Sequence, residues 1–171
     1  EVMSIGKTFR QSLQKALRSL ESDRYGFGAD GADPEMEALG DEALRAEIAR
    51  PNPLRLLQVR EAFRRGWTVR QVEDLSRIDP WFLDHMAELA AYEAEIASAG
   101  DLAGLRGDAA LFRQAKEFGY SDRQIAHILK STEDDVRRAR EDLSIRPVYA
   151  LVDTCAAEFE AHTPYYYSTY G

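Results

Sequence analysis

The run Gly26-Phe27-Gly28-Ala29-Asp30-Gly31 has the spacing G-x-G-x-x-G, in which glycines let a backbone approach a pyrophosphate at a helix N-terminus. Its context argues against that chemistry. The motif needs a strand before it and a helix opening at its last glycine, whereas a helical pattern precedes it here and Asp33-Pro34-Glu35 follows with carboxylates that would repel the ligand. His85, His127 and His162 lie too far apart for the short spacings of zinc sites and read as helix-surface or capping residues. Cys155, the single cysteine, sits among Thr154, Ala156 and Ala157 and reads as a small buried hydrophobe rather than a nucleophile. Asp134 and Asp135 fall in a first helical turn, where carboxylates serve the helix dipole. Tyr165, Tyr166, Tyr167 and Tyr170 are expected to pack at a junction rather than stack on a ligand. No catalytic, cofactor-binding or metal-binding set emerges from these residues.

A nucleic-acid reader is the competing function. Residues 121–130, a short turn and residues 132–143 have the outline of a helix-turn-helix DNA-binding module. A reading helix offers its N-terminal residues to base edges, and here those residues are Glu133, Asp134 and Asp135, with only Arg137, Arg138 and Arg140 to oppose them. The whole chain has 22 Lys plus Arg against 30 Asp plus Glu, a net charge of −8 that repels phosphate backbones and anionic lipid. No apolar run approaches a membrane span, and one cysteine cannot form an internal disulfide, so a cytoplasmic, reducing location is expected.

The elements that must position any site are helical. With 44% apolar residues the 171-residue chain can bury a core as one domain with appendages. Thr8 is a good N-cap, and Phe9, Leu13, Ala16, Leu17 and Leu20 recur behind it at helical spacing, with Arg10, Lys15 and Arg18 off that stripe. Residues 22–40, rich in Gly, Asp and Glu, read as an acidic surface loop. Breaks at Pro, Gly and capping residues then divide the chain into helices over 41–49, 53–65, 68–76, 79–99, 108–118, 121–130 and 132–143. The runs 148–152 and 165–170 favour short strands, and Val2-Met3-Ser4-Ile5 is an extended apolar run without a nearby partner, which reads as a cut through a longer protein. The expected fold is an all-α bundle of about seven to eight helices with short β segments at the two termini.

A repeat at a 53-residue offset aligns Gly66-Trp67-Thr68-Val69-Arg70-Gln71-Val72 with Gly119-Tyr120-Ser121-Asp122-Arg123-Gln124-Ile125. Glycine ends one helix, an aromatic anchors the corner, and Ser or Thr caps the next helix with Gln as the second half of a capping box. A duplicated helix-corner-helix unit argues for architecture, since each copy can bury its apolar face against the other.

At the ends the letters become specific. Glu1-Val2-Met3-Ser4-Ile5-Gly6-Lys7-Thr8-Phe9, with Ser12-Leu13-Gln14-Lys15-Ala16-Leu17, resembles the segment where the first ATP-grasp unit of carbamoyl phosphate synthetase large chains ends. Pro147-Val148-Tyr149, Val152-Asp153-Thr154-Cys155 and Tyr165-Tyr166-Tyr167-Ser168-Thr169-Tyr170 resemble the run into the second unit, and Ile78-Asp79-Pro80-Trp81-Phe82-Leu83 and Gly119-Tyr120-Ser121-Asp122 fit between them.

The resemblance implies three segments: the end of the first ATP-grasp unit over 1–9, a helical oligomerisation or connection domain over 10–146, and an extended linker into the second unit over 147–171. It implies a non-catalytic domain that joins two catalytic units and self-associates, inside a ligase that makes carbamoyl phosphate from bicarbonate, glutamine-derived ammonia and two ATP for pyrimidine and arginine synthesis. The implied partners are the flanking units and a small glutaminase subunit, with neither nucleic acid nor membrane. The implied cofactors, ATP with Mg or Mn and K, belong to the parent enzyme and not to this segment. Glu1 matches the family glutamate that lines the internal passage for carbamate. Trp67, Trp81, Phe82, Phe63, Phe112, Phe118 and Tyr120 are the candidates for an association surface, although each alone is expected to be core.

Overall fold

The computed structural model describes residues 1–171, the side chain of residue 34 excepted. Its helices are α1 (Phe9–Arg18), α2 (Pro34–Glu37), α3 (Asp41–Ala49), α4 (Arg55–Arg64), α5 (Val69–Ser76), α6 (Pro80–Ser98), α7 (Leu102–Gly107), α8 (Ala109–Glu117), α9 (Asp122–Ile128) and α10 (Glu133–Asp142). Two strands follow, β1 (Val148–Leu151) and β2 (Tyr166–Thr169), paired antiparallel from Val148 opposite Thr169 to Leu151 opposite Tyr166.

The chain is therefore mainly helical, as its periodicity predicts. Short helices α2 and α7 add to the expected set, each lying in a stretch whose glycines and short length hide a single helical turn. Both strands lie near the C-terminal end, and residues 1–6 belong to no helix or strand.

Helix α6 is the spine. Asp79 caps it, accepting from the Trp81 amide at 2.8 Å, and Pro80 occupies the first turn, where its missing N–H costs nothing. Its 19 residues bury Leu83, Met86, Leu89, Tyr92 and Ile96, and it packs against α1, α4, α5, α8 and α9.

The two copies of the repeat flank this spine. Gly66 (φ 83°) and Gly119 (φ 89°) each end a helix in the left-handed region, and Thr68–Gln71 and Ser121–Gln124 form complete capping boxes. The copies have diverged in what they bury. Trp67 is half-buried under the Arg45 guanidinium, whereas Tyr120 is fully buried and donates its hydroxyl to the Leu89 carbonyl. Gln71 is exposed, but Gln124 is buried and also donates to the Gly28 carbonyl at 2.7 Å.

Residues 22–40 depart from the expected surface loop. Phe27 is 1% exposed and Met36 is buried, and the Phe27 amide donates to the Gln14 side chain at 2.6 Å. The acidic letters mislead because their charges are neutralised inside the fold: Arg24 pairs with Asp30 and Asp33, and Arg60 with Asp33. This segment spans the repeat, touching Gln124 on one side and Arg60 on the other.

At Gly28 (φ +75°) a Cβ would fall within van der Waals distance of the Arg60 guanidinium. Gly28→Ala should therefore cost ~1–3 kcal/mol, from left-handed strain and overpacking together, read as a lowered urea midpoint with unchanged slope.

Cys155 corrects another expectation. It is half-exposed in the turn-rich stretch between the strands, where no core reaches it. Of the candidate surface aromatics, Phe112 and Tyr120 are core, Phe63, Trp67 and Phe118 pack partly against it, and Trp81 and Phe82 remain 54% and 41% exposed.

Candidate functional site

Helix α1 brings the two ends of the chain together. Its inner face buries Gln14 and Leu17, while Gln11, Lys15 and Arg18, spaced i, i+4, i+7, line one adjoining face. Lys15 Nζ donates to the Ile5 carbonyl at 2.8 Å on the incoming segment and to the Ser168 carbonyl on β2. The Gln11 side-chain oxygen accepts from the Lys7 amide at 3.1 Å and the Thr169 hydroxyl at 2.9 Å, and its amide donates to the Glu117 carbonyl at 2.8 Å. Arg18 donates to the Gly119 carbonyl at the second corner, and Lys7 Nζ reaches the Gly171 carbonyl. One helix face thus holds entry, exit and the bundle between them. The sequence reading places Lys15 and Arg18 off the apolar stripe and gives them no role; their i, i+4, i+7 spacing with Gln11 is the signal of a shared polar face.

Beneath the junction lies a buried ionic group. Lys116 Nζ donates to the Tyr120 carbonyl at 2.6 Å and to Asp122 Oδ1 at 2.7 Å, and Arg140 Nε donates to Asp122 Oδ2 at 2.9 Å. Burial outweighs the pull of Asp122 and lowers the Lys116 ammonium to about 8. Burial pushes the Asp122 carboxyl up, but Lys116 and Arg140 outweigh it and hold it below its usual range. Tyr170 lies over Lys116 at 5.3 Å from the ring centroid, tying β2 to this group.

A second ionic cluster crosses the first half of the bundle. Arg60 clamps Glu93 through two bonds of 2.7 and 2.6 Å and reaches Asp33 at 2.9 Å, with both partners nearly buried. Burial pushes the Glu93 carboxyl up despite Arg60. The concavity beside it, about 810 Å³, is lined by the ion pairs Arg60–Glu93 and Arg64–Glu37 together with His127, Lys130 and small apolar residues.

Two apolar faces remain. At the start of α6, Phe9 meets Trp81 at a tilt (5.4 Å between centroids) and Phe82 edge-on (5.2 Å), and Trp81 meets His85 edge-on at 4.6 Å. At the far end of α1, a groove of about 840 Å³ is lined by Leu17, Leu20, Met36, Leu54 and Leu56, with Leu20 45% and Leu54 52% exposed.

The other residues singled out from the sequence are not brought together. Glu1 is exposed, and His127 and His162 are exposed and apart. Among the described residues no group of three or more His, Cys, Asp or Glu is placed to hold a metal, and no helix is long and apolar enough to cross a membrane. The glycines of the 26–31 motif are packed by Gln14, Gln124 and Arg60, which occupy the space a pyrophosphate would need. Helices α9 and α10 do form a helix-turn-helix outline, yet Arg137 pairs with Glu133, Arg138 with Asp135 and Arg140 with Asp122, so the cations a DNA backbone would need are tied to the protein's own carboxylates.

Comparison with known proteins identifies the family. The family model described as carbamoyl-phosphate synthetase large chain, oligomerisation domain, matches residues 1–144. The carbamoyl phosphate synthase large chain of Archaeoglobus fulgidus is 46% identical over 171 residues, 99% of this chain and 16% of that protein. That of Rhodopirellula baltica is 49% identical over 173 residues, again 99% of this chain and 16% of its own length. In Aquifex aeolicus the similar protein is a carbamoyl phosphate synthase large chain, N-terminal section, 45% identical over 99% of this chain and 29% of its length. The chain thus spans about one sixth of the length of the full large chains it matches.

Proposed function

The chain belongs to the oligomerisation-domain family of carbamoyl phosphate synthetase large chains, and from that premise we propose that it works as a connector and self-association module between two catalytic units. The observation that carries this reading is the polar face of α1, which ties residues 5 and 168 to the single side chain of Lys15. A connector must fix the spacing of its two exits, and hydrogen bonds from one rigid helix do so. The reading divides the chain into the end of a preceding ATP-grasp unit over 1–9, the helical domain over 10–146 and a linker over 147–171. Glu1 is assigned to the carbamate passage between the units.

In the parent enzyme this reading implies synthesis of carbamoyl phosphate from bicarbonate, ammonia released from glutamine, and two ATP, with Mg or Mn and K bound in the catalytic units. A small glutaminase subunit is the further partner, and the cytoplasm the location. The domain itself contributes no catalytic group; its contribution is placement.

For self-association we assign the groove at the far end of α1, with a second copy as its occupant. Leu20 and Leu54 together offer exposed aliphatic surface beside the half-buried Leu56, with the exposed Glu35 at its edge, an apolar patch with a polar border. Light scattering of this chain over a hundredfold concentration range should give a mass rising from 19.3 kDa toward twice that value. Leu54→Glu, at a half-exposed position that leaves the core untouched, should weaken the dimer at least about tenfold. A mass that stays at 19.3 kDa throughout would remove self-association from this domain and leave the connector role alone.

A further inference from the structure

The space between α1, the second corner and β2 is walled by cations. A cavity of about 210 Å³ there is lined by Lys15, Arg18 and Lys116, with Ser121, Thr169 and Tyr170 beside them and, among the described residues, no carboxylate on its wall. In a chain of net charge −8 this is a local reversal of sign. Asp122, which Lys116 holds at 2.7 Å, is shared with Arg140 at 2.9 Å, so one negative charge answers two cations. Lys15 and Arg18 have no such partner. Lys15 directs its ammonium to the Ile5 and Ser168 carbonyls and Arg18 donates to the Gly119 carbonyl at 2.8 Å, but among the described residues neither pairs with a carboxylate. Most of the five donors of the Arg18 fork are left for something else.

These charges act on one another. Burial and the neighbouring Arg18 lower the Lys15 ammonium, and burial lowers the Arg18 guanidinium despite Tyr170 and Asp122. Arg140 and Arg18 add to the burial that lowers Lys116. Like charges gathered in a part-buried space repel unless an anion sits between them. The size of the cavity says which anion. Pockets for drug-sized ligands run from about 300 to 1,000 Å³, and one water takes about 30 Å³, so this space suits a compact ion with a few waters rather than a nucleotide. A more open cleft that shares Lys15, Arg18 and Ser168 with the cavity gives a route from solvent. The overall charge repels a long polyanion, whereas a single small ion that enters meets a guanidinium fork and two ammonium groups, the donors that suit phosphate oxygens.

We propose that this cavity is a binding site for one compact oxyanion of the phosphate class, held by Lys15, Arg18 and Lys116. The ion bridges α1 and α8 under the last residues of β2, where Tyr170 lies over Lys116, so its binding fastens the exit of the chain. Such a site needs neither a second copy nor a neighbouring unit, and it stands or falls apart from the connector and self-association roles.

Hydrogen exchange of the full-length large chain, read by mass spectrometry on the peptide that covers β2, tests this with inorganic phosphate against chloride at equal ionic strength. The pH is held at 7, below the value of about 8 at which Lys116 loses its proton. For a dissociation constant of about 1 mM, amides whose opening dismantles the site should slow about tenfold in about 10 mM phosphate. That slowing is the expected result for Tyr166 to Tyr170. It should vanish in Arg18→Gln, which keeps a donor for the Gly119 carbonyl, and shrink at least about threefold in Lys116→Met, where Asp122 keeps Arg140. Should Arg18→Gln unfold the domain, seen as faster exchange across α6 as well, Lys116→Met decides alone. Exchange of β2 that is the same in phosphate and chloride overturns the proposal. So does a slowing of equal size in both variants, which would place the ion at another site. Slow exchange in chloride that Arg18→Gln alone releases also overturns it, because a carboxylate of the adjoining polypeptide would then occupy the cavity.

Discussion

Replacing Arg60 with methionine should destabilise the domain by ~3–5 kcal/mol, the loss typical when one partner of a buried ion pair is removed and the other is left uncompensated. Arg60 is 3% exposed and faces two carboxylates, Asp33 and Glu93, at 6% and 9%. Its fork geometry satisfies both Glu93 oxygens at once, which methionine of similar length cannot do. Burial already pushes the Glu93 carboxyl up, and without Arg60 it should rise further. A carboxyl whose folded pKa is raised stabilises the fold only below its unfolded pKa, and that contribution is lost as pH rises through the folded value. The deficit of Arg60→Met should therefore be smallest in mild acid and grow toward neutrality. Glu93→Gln keeps a neutral acceptor for Arg60 and should cost less. Urea denaturation at several pH values measures both, and a cost under about 1 kcal/mol for Arg60→Met, independent of pH, would mean that water solvates these carboxylates.

Eight of the ten helices among the described residues and both strands follow from cap chemistry and residue pattern, and Thr8, Thr68, Asp79, Ser121 and Thr132 each accept from the first turn of the helix they announce. The repeat was legible for the same reason: its letters are local, and a capping box is satisfied within four residues. What escaped the sequence is non-local. Nothing in the letters of residues 22–40 says that Arg60, some thirty residues on, will draw Asp33 inward, or that Phe27 will reach the core. Composition alone makes an acidic, glycine-rich run look solvated, and only the partner cation reverses that sign. The junction on α1 escaped similarly. Lys15 and Arg18 are legitimate surface residues of an isolated helix, and they become anchors because the chain returns to α1 from 153 residues away. The aromatic list was half legible: hydrophobicity marks Trp81 and Tyr120 alike, and only packing separates the exposed anchor from the buried one.

Raising the pH from 8 to 10 should strengthen the domain through Lys116. Its ammonium is 5% exposed and burial brings it to about 8, against an ordinary 10.5 for the unfolded chain. Below pH 8 both states carry the proton and the folded state bears the full cost of burying it. Between about 8 and 10.5 the folded state has released the proton while the unfolded state still holds it, so the unfolded state binds more protons and stability rises with pH. The full window corresponds to ~3 kcal/mol, most of it gained by pH 10. Above that, Tyr92, Tyr120 and Tyr170, all held up by burial, ionise more readily in the unfolded chain and pull stability down again. Lys116→Met removes the rising limb and leaves the tyrosine fall, and Asp122 keeps Arg140 as a partner, so the variant should fold. The measurement is the difference in urea stability between the two proteins at pH 7, 8, 9 and 10. A difference that stays flat across this range would show that Asp122 and the Tyr120 carbonyl keep the ammonium charged at its ordinary affinity. A difference that moves in favour of the lysine protein would identify Lys116 as a charge buried at a cost under the junction where β2 is fastened. Since Tyr170 lies over that ammonium, the loosest point of the connector below pH 8 would then be the exit toward the second unit rather than the entry from the first.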